Sequence, residues 1–208
     1  GEVEFPRVFP EGMVYVSAGG DVARPFFIDR TEVTEAAYKA FDPTYRRPTA
    51  ATGNNLPAHG IPFEKAEAFA ASVGKRLPTE AQWLRAAFMG REMRYPWGLK
   101  KATGDAPEKF CYIGKTTGPG PVDGYADAPS PCGALNMAGN VWEWLRDEYA
   151  IGGGFRHPFL EYDVGWKADF LRDKKPSERL YRTPGYPHGR KYKQYQLKNR
   201  NLQEVGIR

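Results

Sequence analysis

Residues 134–147 read Ala-Leu-Asn-Met-Ala-Gly-Asn-Val-Trp-Glu-Trp-Leu-Arg-Asp. Gly139 and Asn140 interrupt an otherwise apolar run, and Asn136 and Glu143 put oxygens on either side of the interruption. Trp142 and Trp144 flank the acid. A carboxylate buried among indoles is costly unless a partner meets it. Either Glu143 faces solvent or something cationic reaches it, and the choice decides whether this loop holds a metal ion.

The rest of the chain says what kind of domain surrounds that loop. Its 208 residues fit one large domain, residues 1–208, with room for a sizeable core. Glycine (23) and proline (18) are abundant, yet aromatics reach 14 %. That mixture excludes a disordered chain and points to a compact fold with much irregular loop anchored by large rings. No run of about eighteen apolar residues exists, so no membrane span is expected. No signal peptide is recognisable. The two cysteines, Cys111 and Cys132, form neither a CxxC nor a zinc pattern. One disulfide, or two free thiols, remain open alternatives.

Regular structure concentrates in the first half. Gly12–Ala18 and Pro25–Asp29 read as short strands, rich in β-branched and aromatic residues. Thr34 is a helix N-cap, with Tyr38 and Phe41 on one face of the helix that follows. Residues 63–73 form a second helix, on which Ala66, Phe69, Ala70 and Val73 make an apolar stripe that Gly74 ends. Thr79 and Gln82 make a capping box for a third helix, with Trp83, Ala86 and Ala87 facing inward. From Tyr95 to Pro131 turns dominate.

Several of these blocks, in this order, resemble the formylglycine-generating enzyme (sulfatase-modifying factor) family. They are Gly12-Met13-Val14-Tyr15-Val16; Asp29-Arg30-Thr31-Glu32-Val33-Thr34 with Tyr38 and Phe41; Gly74-Lys75-Arg76-Leu77-Pro78-Thr79-Glu80-Ala81-Gln82-Trp83 with Ala86-Ala87; Tyr95-Pro96-Trp97-Gly98; and Asn136-Met137-Ala138-Gly139-Asn140-Val141-Trp142-Glu143-Trp144. Any one block alone is a weak signal; their order makes it specific. The resemblance covers about residues 10–150. It implies an α+β, C-type lectin-like fold, with short helices around small twisted antiparallel sheets and much irregular loop. Residues 151–208 diverge: Gly152-Gly153-Gly154-Phe155 resembles a degenerate first element of the family's last third, and Val205-Gly206-Ile207-Arg208 its end.

The resemblance also sets expectations for chemistry. The family's oxidases bind copper through two cysteines in that last third, as soft Cu(I) requires. This chain has no cysteine after Cys132, so no copper is expected and no catalytic residue is assigned. Another branch uses histidine-ligated iron, but His59, His157 and His188 lie far apart without ligand spacing. Calcium is the better metal case. By position in the family's Asn-x-x-Gly-x-x-x-Glu loop, the ligands would be the Asn136 side chain, the Gly139 and Val141 carbonyls and the Glu143 carboxylate, a hard-oxygen set that suits Ca²⁺. The competing reading pairs Glu143 with an arginine and makes Asn136 a turn cap. A second family calcium site is expected to be missing, because Phe110-Cys111-Tyr112 replaces its usual Asn.

The basic excess, a net charge of +5, gathers in the last forty or so residues. There Tyr181, Tyr186, His188, Arg190, Tyr192 and Tyr195 interleave rings with cations. Such a segment can grip an acidic peptide, another protein or a glycan by stacking and charge. The plainer reading is a solvated face. Nucleic acid is not expected, since no RNA-binding motif accompanies it. The sequence therefore points to a non-catalytic, calcium-stabilised binding module that presents residues 151–208. Two alternatives are a metal-dependent oxidase of non-cysteine chemistry, with His157, His188 and Asp163 as first suspects, and a retroelement-diversified variable binding protein. The chain is also compatible with one domain of a larger bacterial protein. Calcium use leans toward an extracytoplasmic setting.

Overall fold

The computed structural model describes residues 9–48, 55–92, 95–98 and 119–146, together with the backbone of 205–206. Strand β1 (Met13–Val16) pairs antiparallel with β2 (Phe26–Asp29), Met13 opposite Asp29 and Val16 opposite Phe26. Three helices follow: α1 (Glu35–Phe41), α2 (Phe63–Ser72) and α3 (Glu80–Phe88). A short strand β3 (Trp142–Glu143) pairs with β4 (Val205–Gly206). The architecture is α+β. No helix among the described residues is long and apolar enough to cross a membrane.

The helix starts follow their local chemistry. The Thr34 side chain accepts from the Ala37 amide and so satisfies one of the free N–H groups of the first turn of α1. At α3 the box is complete. The Thr79 hydroxyl accepts from the Gln82 amide at 3.1 Å, and the Gln82 side chain accepts from the Thr79 amide at 3.0 Å. Helix α2 stops where Gly74 takes φ +70°, a left-handed conformation that costs glycine little. Val73 thereby leaves the helix at φ −102°, and it is 49 % exposed rather than part of the buried stripe. Ala66, Phe69 and Ala70 are buried, as the spacing predicts.

Two apolar clusters organise the described residues. One joins Tyr38, Tyr45, Ile61, Phe63 and Phe69 to Trp142 and Trp144. The other joins Val16 and Ile28 of the β1–β2 ribbon to Trp83, Ala86, Ala87 and Phe88 of α3, and to Met137 and Leu145. Extended chain throws successive side chains to opposite sides. Trp142 and Trp144 therefore enter the first cluster, while Leu145 enters the second and Glu143 reaches Trp83, a member of that second cluster. The indoles do not sandwich the acid; they lie on the other side of the strand. The Trp144 indole donates to the Ile61 carbonyl at 2.7 Å, which ties this strand to the turn before α2.

The β3–β4 pair departs from the expected antiparallel sheets. It is parallel, with Trp142 opposite Val205 and Glu143 opposite Gly206. A parallel pair cannot be joined by a tight hairpin. The long stretch between Glu143 and Val205 allows this pairing, and local turn signals give no hint of it.

One polar clamp in the first cluster is a direct test of the packing. The Tyr45 hydroxyl donates to the His59 carbonyl at 2.8 Å and accepts from the His59 amide at 3.0 Å. Tyr45 thus pairs with the backbone as a strand neighbour would. Tyr45→Phe removes both of these buried hydrogen bonds. It is expected to lower unfolding free energy by about 1–3 kcal/mol in urea denaturation, with an unchanged m-value.

A second test uses pH. The Arg47 guanidinium makes a two-pronged contact with Glu35, which is almost wholly buried at the start of α1. Its hydrogen bond holds the Glu35 carboxyl below the ordinary value of 4.5, more than burial raises it. The unfolded chain then binds this proton more tightly, so the stabilisation is full above the unfolded value and is lost as pH falls through the folded one. Between about pH 5 and pH 3 the wild-type melting temperature should fall more steeply than that of Glu35→Gln; parallel curves would contradict the assignment.

Candidate functional site

The loop from Asn136 to Asn140 owes its shape to three left-handed residues. Asn136 (φ +55°), Gly139 (φ +93°) and Asn140 (φ +59°) all lie where side chains other than those of glycine, asparagine and aspartate are disfavoured. These turns pull the chain out of regular pairing just before β3. Asn136 and Glu143, the two ends of the predicted ligand loop, are 3 % and 1 % exposed. Both polar side chains are thus interior groups and need partners.

The partner of the two asparagines is Glu32, in the turn between β2 and α1 and itself 1 % exposed. Its Oε2 accepts from Asn136 Nδ2 at 2.8 Å and its Oε1 from Asn140 Nδ2 at 3.0 Å. Asn136 Nδ2 also donates to the Val122 carbonyl at 2.9 Å. The Asn140 amide pairs with both backbone groups of Gly120: its Oδ1 accepts from the Gly120 amide at 2.9 Å, and its Nδ2 donates to the Gly120 carbonyl at 3.2 Å. Three separate stretches, around residues 32, 121 and 138, meet in this network. Backbone bonds extend it, from the Leu135 amide to the Arg30 carbonyl at 2.7 Å and from the Val122 amide to the Asn55 carbonyl at 2.8 Å.

Asn136 Oδ1 is left over. It is buried and accepts no hydrogen bond. An orphaned interior acceptor costs about 1–3 kcal/mol, so its presence marks a place where a donor or a cation belongs. Nearby in sequence, Glu143 accepts from the Trp83 indole N–H through Oε2. Glu143 thus meets the Trp83 indole, and Asn136 meets the Glu32 carboxylate and the Val122 carbonyl. A carboxylate, an unbonded amide oxygen and loop carbonyls are hard-oxygen donors, the ligand chemistry that Ca²⁺ takes.

Other predicted groups fall elsewhere. His59 is a core residue, 1 % exposed. Among the described residues no three His, Cys, Asp or Glu side chains converge on a metal-binding point. Cys132 is a half-buried free thiol whose Sγ donates to the Ala86 carbonyl at 3.1 Å, so it is not bridged. Tyr181, Tyr186, His188, Arg190, Tyr192 and Tyr195 lie outside the described residues, as do Cys111, His157 and Asp163 and the block expected to lack the second calcium site. An open groove of about 580 Å³ runs along β2 and the end of α2, lined by Phe27, Val33, Phe69 and Arg76 among others. None of the residues of the Glu32 network lines it.

Reading along the sequence missed Glu32, Trp83, Asn140 and Gly120 as parts of this site. Trp83 carried a signal: an inward-facing indole N–H needs a buried acceptor, and Glu143 is one of few interior acids. Glu32 carried almost none, since its partners lie more than a hundred residues away.

Comparison with known proteins agrees with the scaffold. The family model for the sulfatase-modifying factor enzyme 1-like domain matches residues 16–206. The chain is 40 % identical over 104 residues to a hercynine oxygenase of Mycobacterium tuberculosis, covering 48 % of this chain and 24 % of that protein. It is 33 % identical over 137 residues to a formylglycine-generating enzyme of Thermomonospora curvata, covering 61 % of this chain and 39 % of that protein. The chain thus spans well under half the length of these curated relatives. Among solved structures, PvdO from Pseudomonas aeruginosa superposes with a TM-score of 0.48 at 22 % identity, covering 67 % of this chain and 69 % of that one. The family match takes in most of the chain, from β1 to β4, and the chain belongs to the sulfatase-modifying factor enzyme 1-like family.

Proposed function

We propose that this chain is a non-catalytic recognition module of its family, stabilised by calcium at the Asn136–Glu143 loop. Recognition would use the Tyr/Lys/Arg-rich segment with Tyr181, Tyr186, His188, Arg190, Tyr192 and Tyr195, and its partner would be a protein, peptide or glycan, preferably acidic. The observation that carries the reading is in the sequence: no cysteine follows Cys132 within a family match that continues to residue 206. A copper centre built on two thiolates has no ligands there. The calcium part rests on the buried, unbonded Asn136 Oδ1 and on the interior Glu143 carboxylate. Asn136, Glu143 and the Gly139 and Val141 carbonyls would hold the ion. When bound, it would supply charge compensation and loop rigidity rather than chemistry.

A second reading has a specific observation behind it. The hercynine oxygenase relatives show that close kin of this scaffold occur inside longer proteins named as enzymes. In that reading the chain is one module of an oxidase, with His157, His188 and Asp163 as metal ligands.

Metal content separates the two. Purified chain should contain calcium and no stoichiometric copper or iron by mass spectrometry, and should not oxidise a cysteine peptide when copper is added. Bound iron or copper with oxygen consumption would favour the enzyme. Calcium at about a hundredfold over its Kd should add about 2.7 kcal/mol of stability, which for a chain of this size is roughly 5–10 °C in Tm. Asn136→Ala should abolish that increment. Glu143→Gln should also abolish it, although its amide oxygen can still accept from Trp83. An undiminished calcium-dependent Tm rise in both variants would rule this loop out.

A further inference from the structure

We infer that Glu32 is a positioning residue for the cation: it fixes which atom of the Asn136 amide is offered to the metal. The inference rests on the calcium reading above and concerns a residue outside the four expected ligands.

The two ends of an asparagine amide are nearly the same size, and only hydrogen bonds decide which way round it sits. At Asn136 the nitrogen end is held twice, by Glu32 Oε2 and by the Val122 carbonyl, while the oxygen end has no bond to protein. A carboxylate accepts only. Glu32 therefore admits just one orientation of Asn136, the one that leaves Oδ1 as the uncommitted atom. Reversing the amide would set oxygen against oxygen at Glu32 and again at Val122. It would also put an NH₂ group where a cation ligand is needed.

Asn140 is why this control belongs to Glu32. Its amide cannot turn over, because Gly120 holds its oxygen with an N–H and its nitrogen with a C=O. Asn140 therefore presents Nδ2 to Glu32 Oε1 permanently. A glutamine at position 32 has one oxygen and one NH₂. The oxygen is claimed by Asn140, so the NH₂ faces Asn136 Nδ2, donor against donor. Asn136, held otherwise by Val122 alone, turns over and gives up that contact, its oxygen now bonding the glutamine and its NH₂ replacing Oδ1. The substitution removes a metal ligand without touching one. Partners that orient metal ligands in this way are typically worth 10–100-fold in metal affinity.

Calcium affinity of the full chain, measured by titration calorimetry and by indole-sensitised terbium emission, tests this. Wild type should bind, and Glu32→Gln should bind at least about tenfold more weakly. The swap Glu32→Gln/Asn136→Asp should regain most of that loss, because the new carboxylate can accept from the glutamine with one oxygen and still offer the other. Its calcium-free Tm should stay below wild type, since the Val122 carbonyl loses its donor. Affinity is then regained while stability is not, a separation that a merely structural role would not produce. If Glu32→Gln cannot be purified folded, the swap is compared with Asn136→Ala. Wild-type affinity in Glu32→Gln, or a swap that binds no better than Glu32→Gln or than Asn136→Ala, would overturn the inference. Failure of wild type itself to bind calcium or terbium would instead sink the calcium reading on which it rests.

Discussion

A carboxylate taken out of water must be met by hydrogen-bond donors or positive charge, and this fold takes two of them, Glu32 and Glu143, to 1 % exposure. The donors that meet them come from distant parts of the chain. Asn136 and Asn140 reach Glu32, and the Trp83 indole reaches Glu143. Satisfying the two acids therefore joins the β2–α1 turn, helix α3, the turns around Gly120 and the loop before β3. Apolar burial supplies most of the stabilisation. The acids help set which stretches must meet, because a displaced loop would take these donors away from a buried acid.

The same constraint connects fold to function. Trp142 and Trp144 fill the cluster built on α1 and α2, and the strand's alternation then turns Glu143 toward α3. Left-handed backbone at Asn136, Gly139 and Asn140 breaks regular pairing and leaves loop carbonyls without obligatory strand partners. Glu32 and Val122 use up the donors of Asn136 and leave its oxygen over. The result is a buried amide oxygen with no hydrogen-bond partner, and the proposed calcium reading rests on it.

Much of this was legible in the sequence because it is local. Thr34, and the Thr79–Gln82 box, name their helices within four residues, and Gly74 ends α2 where its conformational freedom predicts. The ordered blocks up to Trp144 identify the family, and the Asn136–Glu143 spacing points at the loop. What was illegible is non-local or depends on the last turn of an element. Val73 fits a helical stripe but sits one residue past the helix, where the stripe no longer faces inward. The parallel pairing of Trp142–Glu143 with Val205–Gly206 has no turn to announce it. Glu32 looks like any acid near a helix start until chain folding brings two asparagines to it.

The central claim is that a hard cation belongs beside the uncommitted oxygen of Asn136. Anomalous diffraction from crystals grown with terbium or calcium tests it most directly. The account predicts an ion about 2.3–2.6 Å from Asn136 Oδ1 and coordinated by Glu143. A loop without an ion at saturating metal, with the Asn136 oxygen bonded instead to a protein donor or an ordered water, would contradict it.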